Sequence, residues 1–312
     1  MSVKLPPVLC YHKVERRHEL GVTRISPRRF TKQIERLARA GWTTLGLSEV
    51  IACAVGQRVA APNELAITFD DGYRGLREHA FPVLQAHGFR ATCFVITDYA
   101  GKLNRWDVAY GGRRFAHLAW RDMRAWQGRG MEFASHTATH PRLTRISELG
   151  VFEELDRSRR AIAAALDADP VAVSYPFGAA GEREERIARE AGYAAGFGLA
   201  RAWSGGVMSI ARSPVYLWAP LMPAVGVLRA PERLAAFVAN RCAIGTTLYH
   251  RLRAVESQCE RQPARESPLD PIRGAASAHL SSAALPWIPA YLERIVVQTH
   301  GMNSADRSTV PR

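Results

Sequence analysis

Lysine is nearly missing from this chain: of 42 basic side chains only Lys4, Lys13, Lys32 and Lys102 are lysines, which leaves 38 arginines among 312 residues. Arginine favours bidentate contact with phosphate or carboxylate. A net charge of +13 carried this way suits an anionic polymer, a diphosphate-linked glycan or peripheral contact with an anionic membrane. Coding bias in a chain rich in alanine and arginine would give the same count. No aromatic-interleaved basic stripe accompanies the charge, so no nucleic-acid partner is expected. Long apolar runs are also lacking, and nothing approaches the roughly 18 residues of a membrane span. The start, Met1-Ser-Val-Lys-Leu-Pro-Pro7, has neither an h-region nor a cleavage site, so a cytoplasmic location is expected. Cysteine is sparse and scattered. Cys10, Cys53, Cys93, Cys242 and Cys259 form an odd set without a close pair, which argues against a disulfide framework or a zinc knuckle. Cys10 and Cys93 lie inside apolar runs and read as small core residues. No internal repeat is evident.

What is present is an alternation of short apolar runs with helical patterns. Val8 to Tyr11 reads as a strand. Ser26 then caps a helix with Pro27 at its first position, and Phe30, Ile34 and Leu37 recur at helical spacing up to Gly41. Leu65 to Phe69 is a strand. The next helix, through Leu76, Ala80, Val83 and Leu84, contains Pro82 and should bend or restart there. Further strands are expected at Ala91–Ile96, Met131–Ala134, Val171–Tyr175 and Tyr193–Phe197. Helices are expected at Ala119–Gly128, Ser147–Leu166 and Glu182–Ala191. Such alternation implies parallel βαβ units. The predicted fold is α/β: a distorted or incomplete (β/α) barrel with parallel strands, plus a helical and disordered C-terminal extension. Residues 1–218 would form the catalytic barrel. Residues 219–255 would add a helical extension, and 256–312 a linker, one further helix and a disordered tail.

The chemistry sits at two strand ends. Leu65-Ala-Ile-Thr-Phe-Asp-Asp-Gly-Tyr73 ends an apolar run in adjacent carboxylates, and Ser135-His-Thr-Ala-Thr-His140 places two imidazoles four positions apart. Two histidines and one aspartate, with a position left for water, make a catalytic divalent-metal ligand set. The other aspartate can accept the proton of that water. The plainer reading is a turn signal with exposed polar residues. Adjacent strand residues point to opposite faces, so the two aspartates converge only where the strand breaks, and Gly72 offers that break.

These stretches occur in order with Pro7-Val-Leu-Cys-Tyr-His-Lys-Val14, Ile25-Ser-Pro-Arg-Arg-Phe30, Gly88-Phe-Arg-Ala-Thr-Cys-Phe-Val95 and Ser174-Tyr-Pro-Phe-Gly178. Together they resemble the polysaccharide deacetylases (family 4 carbohydrate esterases), in particular the branch that opens with a Tyr-His strand. The resemblance spans about residues 5 to 218. It implies hydrolysis of the N-acetyl group of an N-acetylhexosamine in a polysaccharide, oligosaccharide or lipid-linked precursor. It maps the metal to Asp71, His136 and His140 and the base to Asp70. The metal would be zinc, with cobalt, nickel or manganese as alternatives. It also maps oxyanion stabilisation to the Phe177 N–H, in a turn with Tyr175 and Pro176 beside the substrate. Where the family carries an arginine that braces the base, this chain has Ser174, and Arg212 is the candidate replacement. The general acid is either His12, which the N-terminal strand favours, or His250 in Leu248-Tyr-His250. His79 and His87, as lone histidines, read as satisfied core or surface residues rather than acids. Trp106 and Trp218 are candidates to line a glycan groove. Two other functions keep the same residues: hydrolysis of a small non-sugar amide or imide, and a silent glycan-binding barrel. The oligomeric state is not legible.

Overall fold

The computed structural model describes residues 5–18, 23–106, 114–199 and 206–216. The chain divides into two units, Met1–Val255 and Glu256–Arg312, and every described residue belongs to the first. The extension and tail expected after residue 218 lie outside the described residues, as do Trp218 and His250.

Seven parallel strands close a ring. The N-terminal strand β1 (Val8–Tyr11) stands between β5 (Glu64–Phe69) and β10 (Ile210–Pro214). From β10 the ring runs through β9 (Ala195–Leu199), β8 (Ala172–Ser174), β7 (Met131–Ser135) and β6 (Ala91–Val95) back to β5. The familiar (β/α) barrel closes with eight strands; here seven suffice, so the expected irregularity is one missing stave in a ring that is nonetheless shut. A two-residue strand, β4 (Thr43–Thr44), adds to the first residues of β5, and β2 (Lys13–Val14) pairs with β3 (Arg24–Ile25) beside the ring.

Period-two alternation sorts the side chains. Val8, Ala66, Phe94, Ala134, Ala172 and Ile210 cluster together, while Leu9, Tyr11, Ile67, Phe69, Val95 and Phe133 pack in a different cluster with the helices. The first set fills the barrel and the second faces its jacket. Phe69 meets Phe30 and Phe81 at ring separations of 5.9 and 6.0 Å. Burying each such ring stabilises by about 1.5–3 kcal/mol.

The jacket forms where the caps and apolar spacing predict. In α1 (Pro27–Arg39) Ser26 Oγ accepts the Arg29 N–H at 3.3 Å, and Phe30, Ile34 and Leu37 turn inward. Pro82 acts as expected: α3 (Gly75–His79) stops, and α4 (Phe81–Ala86) starts again with the proline in its first turn. Ser147 caps α6 (Glu148–Leu166), and α5 (Trp120–Gln127) and α7 (Glu182–Glu190) fall within a residue or two of expectation. One helix has no counterpart among those expectations. Helix α2 (Leu47–Ala54) packs Leu47, Val50, Ile51 and Ala54 onto Val8, Ala66 and Ala134. Glu132 accepts the Leu47 N–H at 2.7 Å and the Thr92 hydroxyl at 3.0 Å. The helix thereby plugs the N-terminal mouth, and chemistry is left to the strands' C-terminal ends. Among the described residues no helix is long and apolar enough to cross a membrane.

Candidate metal and acid–base site

Register brings the motifs level. Tyr11 pairs with Phe69 and Val95 with Ser135, so His12, Asp70 and His136 each come directly after a strand end. Asp70 donates its N–H to Tyr11 O, and His136 its N–H to Val95 O, both at 2.9 Å. Asp70 continues the inward phase of Ala66 and Thr68, so Asp71 would face outward if the strand ran on. It does not, because Asp71 itself adopts a left-handed φ of 69°, as does Gly72. The break expected at Gly72 thus begins one residue earlier. Left-handed φ in a residue with a side chain is costly, on the order of 1–3 kcal/mol, and tends to occur at functional positions. Thr137 and His140 share it at 66° each. Their turn is held by Glu154 of α6, which accepts the Ala138 and Thr139 N–H groups at 3.0 and 2.8 Å, and by Thr137 Oγ1, which accepts the His140 N–H at 3.0 Å.

The result is a compact donor set. Asp71 Oδ1 lies 3.5 Å from His136 Nε2 and 3.7 Å from His140 Nε2, and all three side chains are buried. Ligands on a four-coordinate zinc with bonds of about 2.0–2.1 Å sit about 3.3–3.4 Å apart, so the cluster fits one small divalent cation. His136 Nδ1 lies 2.8 Å from Ser174 O. A carbonyl only accepts, so Nδ1 carries the proton and Nε2 presents its lone pair to the other donors. Burial would drive both carboxyls up. The imidazoles outweigh that at Asp71, which falls to about 2, and the aspartates in turn raise His136 against its own burial.

Asp70 is held differently. Arg212, on β10, is 1% exposed and forks onto it, with Nη1 to Oδ1 at 2.7 Å and Nη2 to Oδ2 at 2.8 Å. Nη2 also donates to Ser174 Oγ at 2.7 Å, Nη1 to Thr68 Oγ1 at 3.3 Å, and Ser174 Oγ lies 3.3 Å from Asp70 Oδ2. Burial alone would push Asp70 up, yet the guanidinium, with His136 behind it, holds the carboxyl well below its ordinary range. Arg212 lies within the last strand of the ring.

A ring nitrogen of His12 comes within 4.8 Å of an Asp70 oxygen and of Cys10 Sγ, and Cys10 Sγ lies 3.5 Å from Asp70 Oδ2. These could be read as a second set of metal donors. They fit a cation poorly, because Arg212 already neutralises Asp70 and burial keeps the Cys10 thiol well above its usual pKa, hence protonated. His12 Nδ1 is buried without a hydrogen-bond partner, and burial holds His12 below its ordinary pKa despite the pull of Asp71 and Asp70.

His117 escaped the sequence reading, since a lone histidine in Phe115-Ala-His-Leu118 carries no motif. It is 2% exposed, stacks on Tyr73 at 4.8 Å and lies with Nδ1 2.7 Å from Asp71 O. Trp106 Nε1–H donates to its Nε2 at 3.2 Å. One nitrogen must donate and the other accept, so His117 is neutral, and burial lowers it to about 4. Trp106 in turn packs on His140 at 4.0 Å between ring centroids. Its indole is thus a buried wall of the cluster rather than an open sugar platform.

The third motif divides. Phe177 takes φ 62° and its ring meets His140 at 4.9 Å. Gly178, also at φ 62°, has no room for a Cβ, which would stand 2.7 Å from Leu199 N. Pro176 is buried in the turn. Tyr175 departs from expectation. Its side chain, 1% exposed, packs with Val151, Leu155 and Ile187 under α6 and α7, because it comes after Ser174 in the outward phase of the strand. It is not brought to the cluster.

Comparison with known proteins agrees with this layout. Residues 57–196 match the family model for polysaccharide deacetylase. YxkH of Bacillus subtilis (strain 168), which bears a polysaccharide deacetylase name, is 26% identical over 190 residues, 61% of this chain and 63% of that protein, so the match spans less than two thirds of the relative. Streptococcus pyogenes deacetylase PplD, solved in complex with acetate, superposes with a TM-score of 0.62 at 22% identity, covering 69% of this chain and 94% of that one. IcaB from Ammonifex degensii gives 0.59 at 23% identity over 75% and 96% of the two chains. These structural likenesses speak to the fold. Residues 57–196 thus carry the match to a polysaccharide deacetylase domain, and they include the strand tips that bear Asp70, Asp71, His136 and His140.

Proposed function

We propose that the protein is a divalent-metal-dependent deacetylase that hydrolyses the N-acetyl group of an N-acetylhexosamine in a polysaccharide, oligosaccharide or lipid-linked glycan precursor. The observation that carries this reading is the meeting of Asp71, His136 and His140 within 4.8 Å of one another, beside a carboxylate clamped by a buried arginine. An amide resists hydrolysis because its carbonyl is a weak electrophile and its amine a poor leaving group. Asp71, His136 and His140 would hold a divalent cation, zinc by preference with cobalt, nickel or manganese as alternatives, which would supply an acidified water and polarise the carbonyl. Asp70 receives the proton of the attacking water. Arg212 serves by keeping Asp70 ionised and fixed in direction. The Phe177 N–H donates to the oxygen on which negative charge develops. His12 gives a proton to the departing amine, and its burial makes it the stronger acid. Trp106 and Pro176 bound the acetyl end of the site. Peripheral contact with an anionic membrane rests on the charge of +13 alone.

Acetate release from chitooligosaccharides and from diphosphate-linked N-acetyl sugars tests the activity. Asp71→Asn and His136→Ala should each abolish metal retention by elemental analysis. Asp70→Asn should keep the metal and lose about 10²–10⁴ in turnover. Full metal occupancy in either ligand variant would sink the site assignment.

A further inference from the structure

We infer that Arg142, with Arg145 beside it, forms an anion-recognition subsite at the edge of the cluster, one that selects N-acetyl sugars bearing a phosphate or carboxylate group. The inference rests on the deacetylase reading for its location and goes beyond it in assigning the charge of the substrate.

Arg142 stands two residues past His140 in the loop after β7. Its guanidinium lies 4.7 Å over the Phe177 ring, that ring lies 4.9 Å from His140, and His140 Nε2 lies 3.7 Å from Asp71 Oδ1. Successive contacts thus lead from the guanidinium to the donor set. Its Nε is buried with no hydrogen-bond partner, and among the described residues no carboxylate pairs with it. Arg77, Arg90, Arg157, Arg183 and Arg212, by contrast, each meet an aspartate or glutamate. Arg145, three residues further along the chain, adds a second positive charge. An anion would meet the unmatched donor of Arg142, and a planar guanidinium donates to phosphate or carboxylate in bidentate fashion. The stack on Phe177 engages only the face of the guanidinium. The donors at its edge remain available, and Phe177 fixes the plane in which they point. The fork therefore stands ready beside the turn whose N–H is assigned to the oxyanion.

Calorimetric titration of the intact, metal-loaded protein tests the subsite directly, with N-acetylglucosamine 1-phosphate, N-acetylmuramate and neutral N-acetylglucosamine as probes. At least one charged sugar should bind about 10- to 100-fold more tightly than the neutral one, the scale of a charge-assisted hydrogen bond. The two charged arms separate phosphate from carboxylate. Arg142→Met should erase the advantage, leave neutral-sugar affinity and metal retention unchanged, and recover part of the advantage as Arg142→Lys. Equal or undetectable binding of all three sugars by the wild type, or a loss in Arg142→Met common to all three, overturns the subsite. Acetate release is read separately: charge selection without release would count against the deacetylase reading while upholding the anion subsite.

Discussion

At the scale of single residues the site is governed by which charges are compensated. Asp70 is tolerable inside the barrel only because Arg212 meets both of its oxygens. Arg212→Met strands a buried carboxylate and should destabilise the fold by about 3–5 kcal/mol in denaturant titration. The sign with pH comes from the depressed folded-state pKa of Asp70. Its contribution is present above the unfolded value of about 4 and is lost as pH falls below it. The variant should therefore lose that stretch of acid sensitivity along with the stability. His117 acts at one remove, through the carbonyl of Asp71. His117→Phe keeps the stack on Tyr73 but deletes the bonds to Asp71 O and Trp106. Metal affinity should fall about 10- to 100-fold, the usual effect of losing a group that orients a ligand. Unchanged affinity in competition with a chelator would reduce His117 to packing.

At the scale of elements, four non-glycine residues near the cluster, Asp71, Thr137, His140 and Phe177, adopt left-handed backbone, each just past a strand end. The strands supply position and these turns supply direction. Gly178 shows how little slack the turns have. Gly178→Ala would place a Cβ 2.6 Å from Leu199 Cβ and 2.7 Å from Leu199 N while holding φ at 62°. Since β9 is a stave of the ring and cannot retreat, the variant should lose more than about 2 kcal/mol. It should also disturb Phe177, which thermal unfolding and metal retention would report together. The elements with strong local signals are legible in the sequence: the Ser26 and Ser147 caps, the Pro82 restart and the apolar strand cores. Helix α2 is not, because Leu47-Ser-Glu-Val-Ile-Ala-Cys-Ala54 opens on glycine rather than a side-chain cap, and its partners lie at the bottom of the barrel. Strand β10 is legible only as the neighbourhood of Arg212; a five-residue strand ending in proline has little periodicity to read.

For the molecule as a whole, closure is the decisive event. Strand β1 joins β5 to β10, so the ring is complete between residues 8 and 214. Deleting residues from 257 onward should therefore leave circular dichroism, metal retention and activity on a small soluble substrate intact. Association with anionic vesicles, if the basic excess serves it, should weaken on truncation and fall with added salt. A truncated chain that aggregates or loses its metal would show that the ring depends on the C-terminal residues, and would return His250 to contention as the acid.

By itself the sequence determined the parallel α/β character, the strand tips that bear Asp70, Asp71, His136 and His140, and the family whose motifs those tips resemble. Each is a local property: apolar runs, caps and motif order are written in consecutive residues. Only the tertiary structure decided that Arg212 reaches Asp70 across 142 positions, that His117 holds Asp71 through its carbonyl, and that Tyr175 turns away under the helices. Those relations depend on strand register and on the hand of single backbone angles. A shift of one residue in either reverses which way a side chain faces, and nothing in the neighbouring letters records it.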